Sequence, residues 1–179
     1  MKDRHIVLGV TGGIAAYKSA DITSKLVQAG AEVTVVMTES GTRFVTPLTF
    51  EALSHRPVFL DMWGSDREFS IRHVSIADWA DVVLVCPATA NIIGKLANGI
   101  ADDLLSTLLL AVDVPVVIAP AMNDRMWTNP IVQDNVGRLK ELGYHIVEPG
   151  EGYLASGKMG KGRLAEVADI IDAVTGALK

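Results

Sequence analysis

Polar residues that could bind a small organic ligand follow two of the most apolar stretches of this chain. Residues 87–91 (Pro-Ala-Thr-Ala-Asn) come directly after residues 82–86, and residues 120–123 (Pro-Ala-Met-Asn) come directly after residues 115–119. Short β-branched runs of this kind are typical of buried parallel strands. In open α/β sheets, ligands bind just beyond the carboxyl ends of the strands. The two segments therefore predict one crevice that offers backbone amides, a hydroxyl and two carboxamides.

A third polar segment, residues 11–15 (Thr-Gly-Gly-Ile-Ala), follows the first apolar run and opens a predicted helix. Glycines let the backbone approach an anion, and a helix N-terminus offers free amides and positive potential. The G-x-G-x-x-G pattern is missing, and no acidic residue closes the second strand to hold a ribose. A mononucleotide or flavin phosphate therefore fits better than NAD, and a simple strand-to-helix turn is the alternative. Further polar groups come from Thr38, Ser40, Thr89, Asn91 and Ser106.

His73 is the titratable residue best placed for proton transfer, because it lies upstream of the strand that delivers residues 87–91. Histidine is the natural general acid or base near neutral pH. The alternative is a surface or capping histidine, which is the interpretation given to the other three histidines. No His, Cys and carboxylate spacing matches a metal site. Asp102 and Asp103 are predicted to cap a helix rather than to act as paired acids.

Alternating strands and helices predict a doubly wound parallel sheet in a single α/β domain. The predicted strands cover residues 6–10, 33–37, 80–86, 114–119 and 144–147. The predicted helices cover residues 14–29, 49–54, 92–97, 102–111, 130–142 and 165–178. Residues 38–42 and the glycine-rich residues 149–163 are predicted to be loops, and the polar residues 61–72 a mobile connection.

The composition excludes several classes of protein. A chain of 179 residues with 49% hydrophobic and 21% charged residues is typical of one globular domain. The net charge of −5 argues against a nucleic-acid surface. The apolar stretches are too short to span a membrane and the N-terminus has no signal peptide, so a cytoplasmic protein is expected. The one cysteine, Cys86, excludes a disulfide framework and is typical of a small core residue.

Taken together, these motifs resemble those of the homo-oligomeric flavin-containing cysteine decarboxylases. The resemblance covers nearly the whole chain, and several independent motifs in the correct order are more specific than any one of them. They are residues 12–18 (Gly-Gly-Ile-Ala-Ala-Tyr-Lys), His73, residues 79–81 (Trp-Ala-Asp), residues 87–91 with Gly94 and Lys95, residues 102–106, and residues 120–123 with Met126 and Trp127.

The resemblance implies a flavodoxin-like subunit that binds FMN at a subunit interface, in a trimer or a multiple of trimers. His73 matches the catalytic histidine, and Asn123 matches the asparagine that recognises the substrate. Met126, Ala155 and Lys158 are expected beside the substrate. The expected FMN contacts are Gly12, Gly13, Ile14, Ser40, Thr89, Ala90, Asn91, Ser106 and Ala121, with Thr38 added from its position beyond the second strand.

The chemistry implied is oxidative decarboxylation of 4'-phosphopantothenoylcysteine in coenzyme A biosynthesis. The thiol-bearing carbon is oxidised to a thioaldehyde, and loss of the neighbouring carboxylate then leaves an enethiol. In the family, a cysteine on a flexible clamp, here residues 150–163, supplies a proton for the final reduction. This chain carries Ser156 at that position, and Lys158 where the family often has an acid. Because a hydroxyl is a far weaker acid than a thiol, whose pKa is about 8.5, the substitution predicts an impaired reductive step.

Two other functions stay open. A peptidyl-cysteine decarboxylase would stop at the enethiol and needs no clamp cysteine. A flavin-binding regulatory subunit would have no turnover, although His73 and Asn123 argue against it. The three clamp cations, Lys158, Lys161 and Arg163, are expected to lie near the phosphorylated substrate. The alternative is that they are solvated loop charges with no role in binding. Bifunctional relatives continue into a synthetase domain, so a fused or separate phosphopantothenate–cysteine ligase is an expected partner.

Overall fold

The apolar runs of the chain form a parallel sheet in the computed structural model, which describes residues 1–62 and 72–179. Its strands are β1 (His5–Val10), β2 (Glu32–Met37), β3 (Val82–Ala88), β4 (Val116–Pro120) and β5 (His145–Ile146). The strand order is β2–β1–β3–β4–β5, and every neighbouring pair is parallel. All residues of β3 and β4 are buried, which requires helices on both faces of the sheet.

Two layers of helices enclose the sheet. The described helices are α1 (Ala16–Gln28), α2 (Glu39–Thr42), α3 (Pro47–Ser54), α4 (Arg72–Trp79), α5 (Ala90–Ala97), α6 (Leu104–Ala111), α7 (Asp124–Trp127), α8 (Pro130–Glu141) and α9 (Val167–Ala177). One layer consists of α1, α3 and α9, which bury Ile22, Phe50 and Ile170. The other consists of α4, α5, α6 and α8, which bury apolar residues such as Ile93 and Leu108. Within the described ranges, no helix is both long and apolar enough to cross a lipid bilayer.

The direction of winding reverses between β1 and β3. From β1 the chain crosses to β2 at one edge of the sheet, and it then returns to β3 on the other side of β1. The predicted doubly wound, flavodoxin-like α/β fold is therefore confirmed. At such a switch point the loops beyond the two central strands turn away from each other, and a crevice opens between them.

The predicted elements are found with their ends displaced by a few residues. Strand β3 runs on through Ala88, and α1 begins at Ala16. The prediction of a loop over residues 38–42 is wrong, because α2 forms there. Its N-cap is Thr38, whose Oγ1 accepts a hydrogen bond from Gly41 N at 3.1 Å. The mobile connection predicted for residues 61–72 falls largely on residues 63–71, which lie outside the described residues.

The prediction of a loop over residues 149–163 is also wrong. Strands β6 (Gly150–Tyr153) and β7 (Met159–Arg163) form an antiparallel hairpin, in which Tyr153 lies opposite Met159. Glycines weaken isolated strands, but β7 is held from outside the hairpin by Met122 N, which donates to Gly162 O at 2.9 Å. Gly162 has φ of 144°, and a Cβ there would lie 2.4 Å from Met122 O. The clamp, residues 150–163, is therefore docked on the loop beyond β4 at a position that only glycine allows.

The buried face of α6 generates a test of the assigned core. Leu108 is fully buried, whereas Leu110 on the same helix is 45% exposed. We expect Leu108→Ala to lower the free energy of unfolding by about 2–5 kcal/mol, because it removes buried methyl groups and leaves a cavity. Leu110→Ala is the matched control and should change that free energy by at most about 0.5 kcal/mol. Urea unfolding followed by circular dichroism measures both, and equal losses would contradict this core.

Candidate functional site

The switch point between β1 and β3 opens into a cavity of about 990 Å³, the main cavity. Loops beyond β1, β2, β3 and β4 line it, and the clamp forms its remaining wall. Because parallel strands end at one edge of the sheet, segments far apart in the chain meet here. Its lining includes the predicted site residues Gly12, Gly13, Ile14, Ser40, Thr89, Ala90, Asn91, Ala121, Asn123, Met126, Ala155 and Ser156.

The glycine loop beyond β1 lies directly against the loop beyond β2. A Cβ at Gly12 would lie 2.5 Å from Ser40 Cβ and 2.7 Å from Ser40 Oγ, so the contact depends on glycine. At Gly13 the nearest atom would be Thr89 Cγ2, at an ordinary 3.7 Å. Helix α1 begins at Ala16, and its N-cap residue Ala15 provides no side-chain cap. Its first backbone amides and the positive end of the helix dipole therefore face the loop, where a phosphate is stabilised.

Thr11 joins the loops beyond β1 and β3. Its buried hydroxyl donates to Pro87 O at 2.6 Å and accepts from Thr89 N at 3.3 Å. Thr89 is the N-cap of α5, where its Oγ1 accepts from Ile92 N at 3.4 Å. The chain between Pro87 and α5 is thus held against the glycine loop. Sequence reasoning assigned Thr11 no role of its own, because its partner lies 76 positions away and no local pattern marks the pair.

Asn123 lies on the wall of the main cavity that also carries the clamp. Its Oδ1 accepts from Arg125 N at 3.0 Å and caps α7. The amide nitrogen of an asparagine has two N–H donors, and with Oδ1 engaged in the cap, Nδ2 is the group that can serve a ligand carboxylate. Met126, one helical turn onward, is 47% exposed and lines the same cavity.

Ser156 lies in the turn that joins the two clamp strands. Leu154 N donates to Lys158 O at 2.8 Å, and Gly157 N donates to Leu154 O at 2.9 Å. Leu154 is buried and anchors this turn, whereas Ala155 and Ser156 are exposed and line the main cavity. The Ser156 hydroxyl is therefore presented to the cavity by a turn with its own backbone hydrogen bonds.

The three clamp cations have different surroundings. Arg163 lines the main cavity. Lys161 Nζ lies 3.3 Å from Glu148 Oε2, and Lys140 Nζ lies 2.6 Å from Glu148 Oε1. The hydrogen bond from Lys140, and to a smaller extent that from Lys161, lowers the pKa of Glu148. Lys158 is exposed in the turn and is not among the described lining residues of the main cavity.

A second cavity of about 460 Å³ shares Ser40, Thr89 and Asn91 with the first. Thr38 lines this second cavity rather than the main one. One end of it is formed by an ion cluster in which Lys95 Nζ lies 2.6 Å from Asp102 Oδ1 and 2.8 Å from Asp103 Oδ2. The Lys95 side chain is only 15% exposed, so this cation is already neutralised within the fold.

The same ion cluster fixes the start of α6. Asp103 Oδ1 accepts from Ser106 N at 2.8 Å, and Ser106 Oγ accepts from Asp103 N at 3.1 Å. This reciprocal capping box confirms the predicted cap at Asp103. Ser106 is 1% exposed and lines neither of the two described cavities. Its hydroxyl is engaged with α6 itself, which is a structural role in this subunit.

Opposing effects set the charges of the cluster. Burial alone would lower the pKa of Lys95, but its hydrogen bonds with Asp102 and Asp103 outweigh burial and raise that pKa. Burial alone would raise the pKa of Asp103, but hydrogen bonds from Lys95 and Ser106 outweigh it and lower that pKa. Both groups are therefore held in their charged forms.

The structure does not bring His73 into either described cavity. His73 is partly buried in the first turn of α4, whose later residues pack on the layer that contains α6. Cys86 is fully buried at the carboxyl half of β3, as expected for a core residue, and burial raises the pKa of its thiol to about 12. Cavity residues that the sequence did not single out include Tyr17, Lys18 and Tyr153.

Comparison with known proteins identifies relatives over the whole chain. The sequence profile of the Flavoprotein family matches residues 1–179. The "Coenzyme A biosynthesis bifunctional protein CoaBC" of Bacillus subtilis (strain 168) is 56% identical over 171 residues, which are 96% of this chain but 42% of that protein. The "Probable phosphopantothenoylcysteine decarboxylase" of Streptococcus mutans is 40% identical over 173 residues, covering 96% of this chain and 97% of that protein. The chain thus spans less than half the length of the bifunctional relative.

Solved structures share the fold. A cysteine-to-serine mutant of PPC decarboxylase complexed with pantothenoylaminoethenethiol superposes with a TM-score of 0.85 and 32% identity, covering 97% of both chains. The FMN-dependent cysteine decarboxylase SpaF superposes with a TM-score of 0.81 and 35% identity, covering 96% of this chain and 97% of that one.

The ion cluster at α6 generates a prediction about pH. Because the pKa of Asp103 is lowered, its charge stabilises the fold above the ordinary aspartate pKa of about 3.9, and this contribution is lost as the pH falls through the lower folded-state value. Asp103→Asn keeps an N-cap side chain but removes the charge. We expect it to cost about 1–2 kcal/mol near pH 7, allowing for the partial exposure of Asp103.

The difference between the two proteins should shrink as the pH falls below about 4, because the unfolded wild-type chain then takes up a proton that folded Asp103 accepts only at lower pH. Urea unfolding at several pH values measures it. Asp113→Asn, at an exposed residue beyond the end of α6, is the control and should show no such pH dependence. A difference that stays constant down to about pH 2.5, well below the ordinary aspartate pKa of about 3.9, would refute the role given to the Asp103 charge.

Proposed function

The chain belongs to the Flavoprotein family, and on that premise we propose that it is an FMN-dependent decarboxylase of 4'-phosphopantothenoylcysteine in coenzyme A biosynthesis. The observation that carries this proposal is the single cavity in which the glycine loop, Asn123 and the clamp meet. An anion-binding end and a carboxylate-binding wall in one cavity suit a cofactor phosphate and an acidic substrate together. The relatives named above act as the independent support.

The residues present fit FMN. Close packing of Gly12 on Ser40 leaves the loop backbone, rather than a side chain, at the uncapped start of α1. The Ser40 and Thr89 hydroxyls lie at the same end of the cavity, and no carboxylate is found among its described lining residues to repel a phosphate. The residues that would hold FMN are Gly12, Gly13, Ile14, Ser40, Thr89, Ala90, Asn91 and Ala121, with Thr38 on the adjoining cavity.

FMN, when bound, supplies the two-electron oxidant for the thiol-bearing carbon of the substrate. The chain's own residues bind and orient that substrate. Asn123 Nδ2 donates to the substrate carboxylate, and the exposed Met126 side chain provides an apolar wall beside it. Ala155 and Ser156 cover the bound substrate from the clamp. Seating the carboxylate against the apolar Met126 side chain removes water from one side of it and favours its loss as neutral carbon dioxide, because desolvation penalises the charged form.

His73 has its proposed role across a subunit boundary. Since neither described cavity of its own subunit includes it, His73 must act in the cavity of another copy if it is the general acid or base. The rim of the main cavity carries Ile14, Tyr17 and Tyr153, which are 60%, 60% and 72% exposed. Apolar side chains so exposed favour contact with a partner. A homo-oligomer follows from this proposal, and the resemblance to the flavin-containing cysteine decarboxylases makes a trimer or a multiple of trimers the expected form.

Ser156 favours a second candidate function. A peptidyl-cysteine decarboxylase that releases the enethiol needs no acidic group on the clamp, and the exposed clamp turn leaves room for a longer substrate. Product identity and substrate choice separate the two functions.

The substrate of the first candidate function would come from a phosphopantothenate–cysteine ligase, either fused to this chain or separate. The longer relative is named as a bifunctional protein of coenzyme A biosynthesis, which agrees with a fused partner.

The close packing of Gly12 on Ser40 predicts an effect on FMN binding. In Gly12→Ala the new methyl group must displace Ser40, since it would lie 2.9 Å from that residue's backbone carbonyl carbon. Overpacking of this kind costs about 1–3 kcal/mol, or about 5- to 150-fold in the dissociation constant. The control Gly137→Ala lies on α8 away from the main cavity, where a Cβ meets no atom within 4 Å, and should change the constant by less than about 3-fold. Titration of the FMN-free protein, followed by flavin fluorescence, measures both; equal affinities would move FMN away from this loop.

Decarboxylation itself tests the proposed function. The purified protein with FMN should release carbon dioxide from 4'-phosphopantothenoylcysteine and form the enethiol, and without oxygen the two electrons should stay on FMN, one equivalent per flavin. The reason is that the Ser156 hydroxyl is too weak an acid to complete the reduction. Ser156→Cys should yield the saturated thiol, heavier by two hydrogen atoms. Mass spectrometry of the product distinguishes the two.

A protein that releases carbon dioxide from a cysteine-terminated peptide but not from phosphopantothenoylcysteine would establish the second candidate instead. Ser156→Ala is the matched control and should also stop at the enethiol. If the wild-type chain makes the saturated thiol at full speed, Ser156 is not the limiting group.

A further inference from the structure

The charged side chains that line the main cavity are all positive among the described residues. Of its described lining residues, Lys18 and Arg163 carry a positive charge, and none is an aspartate or a glutamate. Lys18 lies in the first turn of α1, and Arg163 is the last residue of β7 on the clamp. Two cations from different elements thus face one cavity, and no carboxylate among its described lining residues pairs with them. In a partly enclosed site of this kind, the attraction for an anion is stronger than at an open surface.

Lys18 forms no ion pair with any carboxylate in the described ranges. Its side chain is partly buried. Cys86, on whose thiol Lys18 has an electrostatic effect, is uncharged because burial raises the pKa of that thiol to about 12. The Lys18 ammonium is therefore available to a ligand, in contrast with Lys95, which two carboxylates already neutralise.

Arg163 is held in place but keeps donors free. Its Nη2 lies 3.0 Å from Glu166 Oε1, and that carboxylate is 65% exposed on the outer side. A guanidinium has five N–H donors, so one ion pair leaves the others for a ligand. Gly152 on the opposite clamp strand makes room for the side chain, since a Cβ there would lie 3.2 Å from both Cδ and Nη1 of Arg163.

We propose that Lys18 and Arg163 bind the phosphate of the substrate and so select phosphorylated over unphosphorylated pantothenoylcysteine; this inference rests on the proposed function. Paired with a guanidinium fork and an ammonium, a phosphate dianion makes several charge-assisted hydrogen bonds. The unphosphorylated analogue leaves Lys18 without an anionic partner and Arg163 with Glu166 alone, so it loses the binding free energy of these contacts.

The position of Arg163, rather than that of Lys18 in the first turn of α1, assigns the pair to the substrate and not to the cofactor phosphate. Arg163 follows Gly162, whose carbonyl accepts from Met122 N beside Asn123, so it belongs to the end of the cavity assigned to substrate. The backbone amides and hydroxyls at Gly12, Ser40 and Thr89 form the other anion-binding end. A cavity that must hold two phosphates and a carboxylate thereby has a separate donor group for each.

The test compares two substrates in the FMN-loaded protein. Carbon dioxide release is measured with 4'-phosphopantothenoylcysteine and with pantothenoylcysteine, for wild type, Lys18→Met, Arg163→Met and the control Lys161→Met. Each of the first two variants should lower the ratio of kcat/KM values for the phosphorylated and unphosphorylated substrates by about 10- to 100-fold, mainly by raising KM for the former. Lys161, on the same strand but paired with Glu148, should leave the ratio at the wild-type value. Arg163→Lys, which keeps the charge but not the fork, should give an intermediate ratio.

Three results would overturn the inference. If the ratio of kcat/KM values for the two substrates were unchanged in both variants, neither cation would recognise the phosphate. Loss of FMN from the variants, measured by flavin absorbance per subunit, would reassign the pair to the cofactor. Equal use of both substrates by the wild-type protein would remove phosphate selection while leaving the decarboxylase function intact. If the wild-type protein released carbon dioxide from neither substrate, it is the proposed function that would fail. The two variants are scored separately, so the loss of folding in one leaves the other as the test.

Discussion

The reversal of winding between β1 and β3 is the constraint on which the rest of the site depends. It sends the loops beyond these strands to opposite sides of the sheet and leaves a crevice that no core side chain fills. The hydrogen bond from Thr11 Oγ1 to Pro87 O, at 2.6 Å, ties the two loops together across that crevice. Because the bond is buried, breaking it would leave an unsatisfied polar group, and the two loops therefore hold a defined relation to each other.

The clamp shows how a secondary element becomes part of a site through backbone contacts rather than side chains. One bond, from Met122 N to Gly162 O, attaches β7 to the loop beyond β4, at a distance that a side chain on residue 162 would forbid. Docking here brings Ser156 and Arg163 to the same cavity as Asn123. The turn at residues 154–158 has few buried side chains apart from Leu154, so it belongs to the part of the fold that opens at low cost.

Charge is distributed so that structural and ligand-binding groups are separated. Lys95, Asp102, Asp103 and Ser106 satisfy one another at the start of α6, and this cluster carries no net unpaired cation. Lys18 and Arg163, by contrast, face a cavity without a lining carboxylate. The separation has a physical basis. A cation such as Lys95, which two carboxylates hold within the fold, gains little from a ligand anion. Lys18, which forms no ion pair in the described ranges, and Arg163, whose one partner Glu166 is 65% exposed, gain more in a partly enclosed site.

The sequence by itself determined the fold class, the presence of ligand-binding loops directly beyond the apolar strands and most of the residues that line the cavity. These follow from local features: β-branched runs at residues 82–86 and 115–119, and small polar residues directly beyond them. Tertiary structure alone decided the hairpin at residues 150–163, since its stability comes from Met122, far away in sequence, and its glycine content predicts a loop. It also decided that Thr38, Ser106, Lys158 and His73 lie outside the main cavity, and that Lys18 lies in it. Which side of a packed element faces a cavity depends on contacts between distant segments, and no local periodicity encodes those contacts.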